Sequence, residues 1–423
     1  MCTYELNERI SAYFETNNIL ADEQNGFRKK RSCTDHIYSL HSIVKNRQLK
    51  GLNTFVTFID FSKAFDSLDR KMLLHKILQH GIEGKVYFAI KAMYDHTKSC
   101  VNVNNNFTDW FQTELGVRQG DSLSPTLFSL FLNELATNLN EMDCGIKIGD
   151  RNVCILLYAD DIAILGEKPY DLQAMLDHVH EWCTQWKMTV NMKKTKVVEF
   201  RKKGYVRSLA KFRLRDKQVD YCSSYKYLGV TFDEFLTFEE NCDTLTKAGH
   251  RALGALIAKF KALENMGYNT YTKCYQTSIC PVTDYGAEIW GSCKSAKYDP
   301  VFLKAIRVFL GINKFTATLF LKGDMGWTPP EIRRKICMLR YWNRLVRLDQ
   351  NRLTYTLFLT DYNNGGYWCD SVRKIFEELE LSEIYLAQAM CDIKLCEKAL
   401  LKLYADGWTG LIKTKPKLCT YWS

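Results

Sequence analysis

The sequence predicts an α+β fold built on an antiparallel sheet, from three observations. Short β-branched and aromatic runs recur at 55–59, 153–157, 162–165 and 197–200, which is strand composition at strand length. Two of these runs enclose only Tyr158-Ala159-Asp160-Asp161, which reads as a hairpin and therefore as antiparallel neighbours. Elsewhere apolar residues recur every three to four positions, and from about residue 300 onward this helical pattern is continuous.

Taken in order, residues 3–16 and 34–47 read as helices, the second from Ile37, Leu40, Ile43 and Val44. A basic turn, Gly26-Phe27-Arg28-Lys29-Lys30-Arg31-Ser32, lies between them. The strand Phe55-Val56-Thr57-Phe58-Ile59 ends at Asp60, and Ser62 is placed to cap a helix carrying Ala64, Phe65 and Leu68. Residues 86–94 predict another helix, and 100–115 a polar hairpin leading into Gly116-Val117-Arg118-Gln119-Gly120. After Pro125, the run Leu127-Phe128-Ser129-Leu130-Phe131-Leu132 is apolar on nearly every side and predicts a buried helix. Residues 171–182 are amphipathic, and 193–217 hold eleven Lys/Arg against Glu199 and Asp216, the densest basic stretch. Leu245, Ala248, Ala252, Leu256 and Phe260 predict a helix, Pro281 a break, and Ile332, Ile336, Leu339 and Leu345 a later helix. There is no internal repeat and no low-complexity segment.

At 423 residues the chain is long enough for two to four structural units. Its 46% hydrophobic and 25% charged residues argue against extensive disorder. A net charge of +10 suits a polyanionic partner without requiring one. Sixteen cysteines without a Cys-x-x-Cys pair signal neither a disulfide framework nor a zinc ribbon. All eight histidines lie at or before His250, so the C-terminal part lacks the ligands of a Cys/His knuckle. The acidic start lacks the basic and apolar regions of a signal peptide, and no apolar run reaches membrane-spanning length. A reducing nuclear or cytoplasmic setting without membrane contact is expected.

Asp60 at a strand end and Asp160-Asp161 at a hairpin tip are about 100 residues apart in sequence. A central sheet can bring them together as hard oxygen ligands for magnesium. An Asp-Asp pair in a turn is by itself ordinary turn chemistry. At the edge of a buried sheet, however, uncompensated acids cost on the order of several kcal/mol in repulsion and desolvation.

The motifs Phe58-Ile59-Asp60-Phe61-Ser62-Lys63-Ala64-Phe65-Asp66, Gly116-Val117-Arg118-Gln119-Gly120-Asp121-Ser122-Leu123-Ser124-Pro125 and Leu157-Tyr158-Ala159-Asp160-Asp161 resemble successive motifs of reverse transcriptases. Asn191-Met192-Lys193-Lys194-Thr195-Lys196 and Tyr227-Leu228-Gly229-Val230 follow in the family's order. The resemblance is nearest to non-LTR retrotransposons of the jockey-like and long interspersed kinds. It implies a right-hand polymerase with partial helical fingers at 1–51 and an antiparallel-sheet palm with remaining finger elements at 52–235. A helical thumb at 236–298 and a helical C-terminal extension at 299–423 complete it. The implied activity is RNA-directed DNA polymerisation: a DNA primer 3′-hydroxyl on an RNA template attacks the α-phosphate of a dNTP and releases pyrophosphate, with two Mg²⁺ ions.

Carried over residue by residue, the resemblance makes Asp60, Asp160 and Asp161 the catalytic, metal-binding triad, with the Phe61 carbonyl as an added ligand. Phe65 falls where the family puts a ring against the sugar 2′-position, the alternative being a core phenylalanine. Gln119 and Gly120 would line the nucleotide and template side, and Arg28 and Arg31 would hold triphosphate or template, a solvated loop being the rival for Arg31. Lys194 would protonate leaving pyrophosphate. Tyr227-Leu228-Gly229 would position the primer, and Lys247, Arg251, Lys259 and Lys261 would meet the duplex backbone, the alternative being a solubilising role on an exposed helix face. Trp342, Tyr367 and Trp368 either stack on bases or pack a core. Family elements carry an endonuclease before and often a Cys/His knuckle after the polymerase; neither is in this sequence, so an N-terminally truncated piece without autonomous target cleavage is expected. A catalytically silent nucleic-acid-binding remnant shares every motif, whereas an RNA-dependent RNA polymerase expects a smaller or hydrogen-bonding residue at 65.

Overall fold

The computed structural model describes residues 2–263, 266–293 and 299–414, which form two compact units, Met1–Leu228 and Gly229–Ser423. The thumb boundary expected at 298 falls on residues outside those described.

The first unit opens with helices α1 (Cys2–Thr16) and α2 (Cys33–Leu49), then strand β1 (Thr54–Ile59), α3 (Ala64–Ser67), α4 (Arg70–Gln79) and α5 (Gly84–Tyr94). The hairpin expected at 100–115 is two nested ladders, β2 (Lys98–Ser99) with β5 (Phe111–Gln112) and β3 (Asn102–Val103) with β4 (Asn106–Phe107). Next come α6 (Ser124–Glu141), the ladder of β6 (Ile146–Ile148) and β7 (Arg151–Val153), β8 (Ile155–Tyr158), β9 (Asp161–Gly166) and α7 (Pro169–Gln185). Strand β10 (Lys196–Phe200), the ladder of β11 (Phe212–Leu214) and β12 (Lys217–Val219), and β13 (Ser224–Tyr227) close the unit.

The central sheet has the order β10-β1-β9-β8 and is antiparallel throughout. Every residue of β1 is buried, which explains why its sequence runs apolar without alternation. Phe55, Ile59, Ile155 and Ile164 face a core filled from α6 and α7 by Leu127, Phe131, Leu176 and Trp182. Helix α2 lies over the other face, where His36 meets Tyr158. The sheet is therefore a middle layer between helices, with β8 at one edge.

One local expectation fails. Ser62 does not cap the helix after β1: α3 begins behind Lys63, which takes a left-handed φ of +52°. The Ser62 N–H donates to the Thr189 carbonyl at 2.8 Å, so a long-range tie replaces the cap.

The second unit contains β14 (Val230–Asp233) and helices α8 (Glu239–Ala262), α9 (Tyr268–Ser278), α10 (Cys280–Thr283), α11 (Ala287–Trp290), α12 (Asp299–Leu310), α13 (Thr318–Met325), α14 (Pro330–Leu345), α15 (Leu353–Asn363), α16 (Tyr367–Glu378), α17 (Ser382–Leu386) and α18 (Ile393–Lys413). Pro281 lies in the first turn of α10, just past the end of α9, as its missing N–H favours. Leu253, Tyr271, Phe302 and Trp327 share one core in this unit. Trp342 and Trp368 are fully buried, and Trp342 stacks on Tyr385 at 5.2 Å while its Nε1 donates to the Ala389 carbonyl at 2.9 Å. Both tryptophans are core residues here. No helix among the described residues is long and apolar enough to cross a membrane, and the described cysteines form no disulfide with one another.

Candidate active site

Antiparallel register brings the sequence-distant acids together. Ile59 of β1 pairs with Ile162 of β9, the residues that adjoin Asp60 and Asp161 in the chain. Tyr158 pairs with Asp161, leaving Ala159 and Asp160 as a two-residue turn. Ala159 has a φ of +58°, a conformation that costs a residue with a β-carbon on the order of 1 kcal/mol or more.

The environment resists placing three negative charges here. Burial and then the Asp60 charge raise the Asp160 carboxyl above its ordinary range. Desolvation against the sheet pushes Asp161 up to about 6, with Asp160 and Asp60 adding to the rise, although the residue itself is solvent-accessible. The Lys194 ammonium opposes both shifts and lies 3.3 Å from Asp60 Oδ1. Its loop is tied to Asp60 by two bonds: the Asp60 N–H donates to Thr195 Oγ1 at 3.3 Å, and the Asn191 N–H donates to the Asp60 carbonyl at 2.8 Å.

Among the described residues no three His, Cys, Asp or Glu side chains are gathered at metal-ligand spacing. The donor chemistry nevertheless suits a hard divalent cation: the acids supply only oxygen, repel one another, and already draw in an ammonium.

Phe65 is half-buried, stacked on buried Phe128 with centroids 4.5 Å apart, and met edge-on by the exposed ring of Phe27 at 6.4 Å. The Val117 N–H donates to the Phe65 carbonyl at 2.8 Å, and Gln119 Nε2 donates to Asp66 Oδ1 at 2.8 Å. The 116–120 loop thus lies directly against the helix of Phe65. Gly120 has a φ of +83° and open space where a side chain would be, so its conformation is what calls for glycine.

Arg28 and Arg31 are engaged within their own loop. Arg28 pairs with Glu15 at 2.8 Å through Nε, and its Nη1 donates to the carbonyls of Ala21 at 2.7 Å and Gln24 at 2.9 Å. Arg31 Nη1 donates to Asp22 Oδ1 at 2.6 Å and Asn25 Oδ1 at 2.8 Å. For either to meet phosphate, its ion pair must open. Phe61 is buried and bridges Val190. The Tyr227 ring is buried 5.3 Å from Phe58, and Leu228 and Gly229, with φ of +47° and +87°, turn the chain sharply at the end of the unit.

Sequence reasoning missed Tyr225, whose ring stacks flat on Phe58 at 4.3 Å. Burial, then the charges of Asp161 and Asp60, push its hydroxyl up to about 12. Its two-residue spacing from Tyr227 on a strand was the signal available. Also missed were Gln24 and His36, which bond to the hairpin backbone and carry no local signal.

A profile of the family described as reverse transcriptase (RNA-dependent DNA polymerase) matches residues 4–232, more than half of the chain. The chain is 27% identical over 349 residues to a probable RNA-directed DNA polymerase from transposon BS of Drosophila melanogaster, covering 80% of this chain and 38% of that protein. It is 26% identical over 289 residues to the RNA-directed DNA polymerase from mobile element jockey of Drosophila funebris, covering 67% of this chain and 31% of that one. It therefore spans about a third of the length of these curated relatives. A structure of apo telomerase from Candida tropicalis is similar at 12% identity with a TM-score of 0.42, over 84% of this chain and 59% of that one.

Proposed function

This chain belongs to the reverse transcriptase family, and on that premise we propose that it is the RNA-directed DNA polymerase of a non-LTR retrotransposon, extending a DNA primer on an RNA template from dNTPs. The observation that carries the reading is the register that pairs Ile59 with Ile162, the neighbours of Asp60 and Asp161, at the base of the Tyr158–Asp161 turn, with Lys194 3.3 Å from Asp60.

In this reading the first unit supplies partial fingers and palm, and α8 with its neighbours the thumb. Asp60, Asp160, Asp161 and the Phe61 carbonyl would hold two Mg²⁺ ions, which when bound would stabilise the attacking and leaving oxygens of an in-line displacement. The chain's own residues do the rest. Phe65, backed by Phe128, leaves no room for a 2′-hydroxyl and so favours dNTPs. Gln119 and Gly120 line the nucleotide. Lys194, exposed at its tip, gives a proton to departing pyrophosphate. Arg28 and Arg31 offer phosphate contacts on opening their ion pairs, and the backbone of Tyr227-Leu228-Gly229 seats the primer.

Extension of an oligo(dT) primer on poly(rA) with Mg²⁺ tests this. Wild type extends, and Asp160→Ala binds template–primer but does not extend. Well-folded wild type that binds without extending sinks the polymerase reading and leaves a nucleic-acid-binding remnant. In the same assay Phe65→Ala raises ribonucleotide incorporation; an unchanged preference for dNTPs removes Phe65 from the sugar gate.

A further inference from the structure

The turn that carries Asp160 is held from behind by residues outside the five reverse transcriptase motifs. Strand β8 is an edge of the sheet, and residues 23–25 add to that edge: Gln24 forms a parallel bridge with Leu157, the Asn25 N–H donates to the Leu157 carbonyl at 2.9 Å, and the Leu157 N–H donates to the Glu23 carbonyl at 2.9 Å. The Gln24 side chain is fully buried, and its Oε1 accepts from the Gly26 N–H at 2.9 Å and from the Ala159 N–H at 3.3 Å. That second bond reaches the hairpin tip itself, at the residue forced to a positive φ.

Gly26 closes the contact. A β-carbon there would stand 2.3 Å from Ala159 N and 3.0 Å from Ala159 Cα and Tyr158 C, so backbone lies directly on backbone. Its φ is not in the left-handed region. Space, not conformation, demands the glycine.

His36 of α2 supplies the third hold. Its Nε2 lies 2.6 Å from the Leu157 carbonyl and so carries the ring proton, and its ring meets Tyr158 edge-on at 5.9 Å. The Leu157 carbonyl thereby has two donors, Asn25 and His36. Arg28 and Arg31 brace the same segment from its outer side, through the carbonyls of Ala21, Gln24 and Asp22.

We propose that Gln24, Gly26 and His36 are positioning residues: a buried brace that holds the Tyr158–Asp161 turn in the one conformation that presents the Asp160 carboxylate for nucleotidyl transfer. The proposal rests on the polymerase reading above. A displacement of about 1 Å at a reacting group can cost on the order of a hundredfold in rate, and an unbraced two-residue turn containing a left-handed alanine has alternatives within that range.

The test is steady-state primer extension, with template–primer affinity and the Mg²⁺ half-saturation point measured alongside. Gln24→Met keeps the volume and loses the acceptor; kcat falls about tenfold or more, the Mg²⁺ midpoint rises, and template–primer Kd is unchanged. Gly26→Ala pushes on the tip and does the same. His36→Leu behaves like Gln24→Met, while His36→Gln, which can still donate to Leu157, recovers most of the activity. Folded Gln24→Met and His36→Leu with wild-type kcat and Mg²⁺ midpoint overturn the brace. If wild type itself does not extend, the polymerase reading has failed, and amide hydrogen exchange decides the brace separately: the peptide spanning 155–162 exchanges faster in Gln24→Met, and unchanged exchange overturns it.

Discussion

Lys76 shows how one residue can contradict its own type. Its side chain is almost fully buried, with Nζ 2.7 Å from Glu134, 2.8 Å from the Phe131 carbonyl and 3.8 Å from the centre of the Trp186 ring. Burial lowers the ammonium to about 8, outweighing the help of Glu134. The unfolded chain, with the ordinary value of 10.5, holds more protons than the folded one between pH 8 and 10.5, so stability from this residue rises with pH across that window. Lys76→Met, which leaves the half-exposed Glu134 to water, is expected to match or exceed wild-type stability by about 1–4 kcal/mol at pH 7. That margin should shrink as pH climbs from 8 to 10.5. Urea unfolding at several pH values checks both statements, and a margin that widens with pH contradicts the burial account. Nothing in the sequence around Lys76 announces this: its partners Phe131, Glu134 and Trp186 are over fifty positions away.

Among the elements, the β8–β9 hairpin was legible because its two arms are apolar at strand length and its tip is not. The helix after β1 was only half legible. Its apolar residues were readable, but its start was decided by Lys63 turning left-handed and by the bond from Ser62 to Thr189, neither of which follows from capping preference. Helix α8 is the element on which binding can be tested. Its buried side carries Asn241, Cys242, Leu245, Gly249, Leu253 and Leu256, while Lys247, Arg251, Lys259 and Lys261 are exposed. If that face meets a phosphate backbone, Lys247→Glu with Arg251→Glu weakens template–primer binding regardless of sequence and lowers the slope of log affinity against log salt by about 1 for each phosphate no longer neutralised. Titrations at several salt concentrations read this directly. An unchanged slope returns the lysines to a solubilising role.

At the scale of the whole molecule, the sequence by itself determined the α+β class, the strands of the central antiparallel sheet, the acids at their ends, and the predominantly helical character of the described residues after 300. These follow from periodicity and from turn chemistry, which are local. The tertiary structure decided what those residues do to one another. It gave Arg28 and Arg31 to Glu15 and Asp22, put Trp342 and Trp368 into a core, stacked Tyr225 on Phe58, and seated Gly26 against Ala159 from 133 positions away. Pairings of that separation leave no period in the sequence, because they are chosen by how the layers pack and by which donor lies nearest once they have packed. The acids could be read in advance; the brace behind them could not.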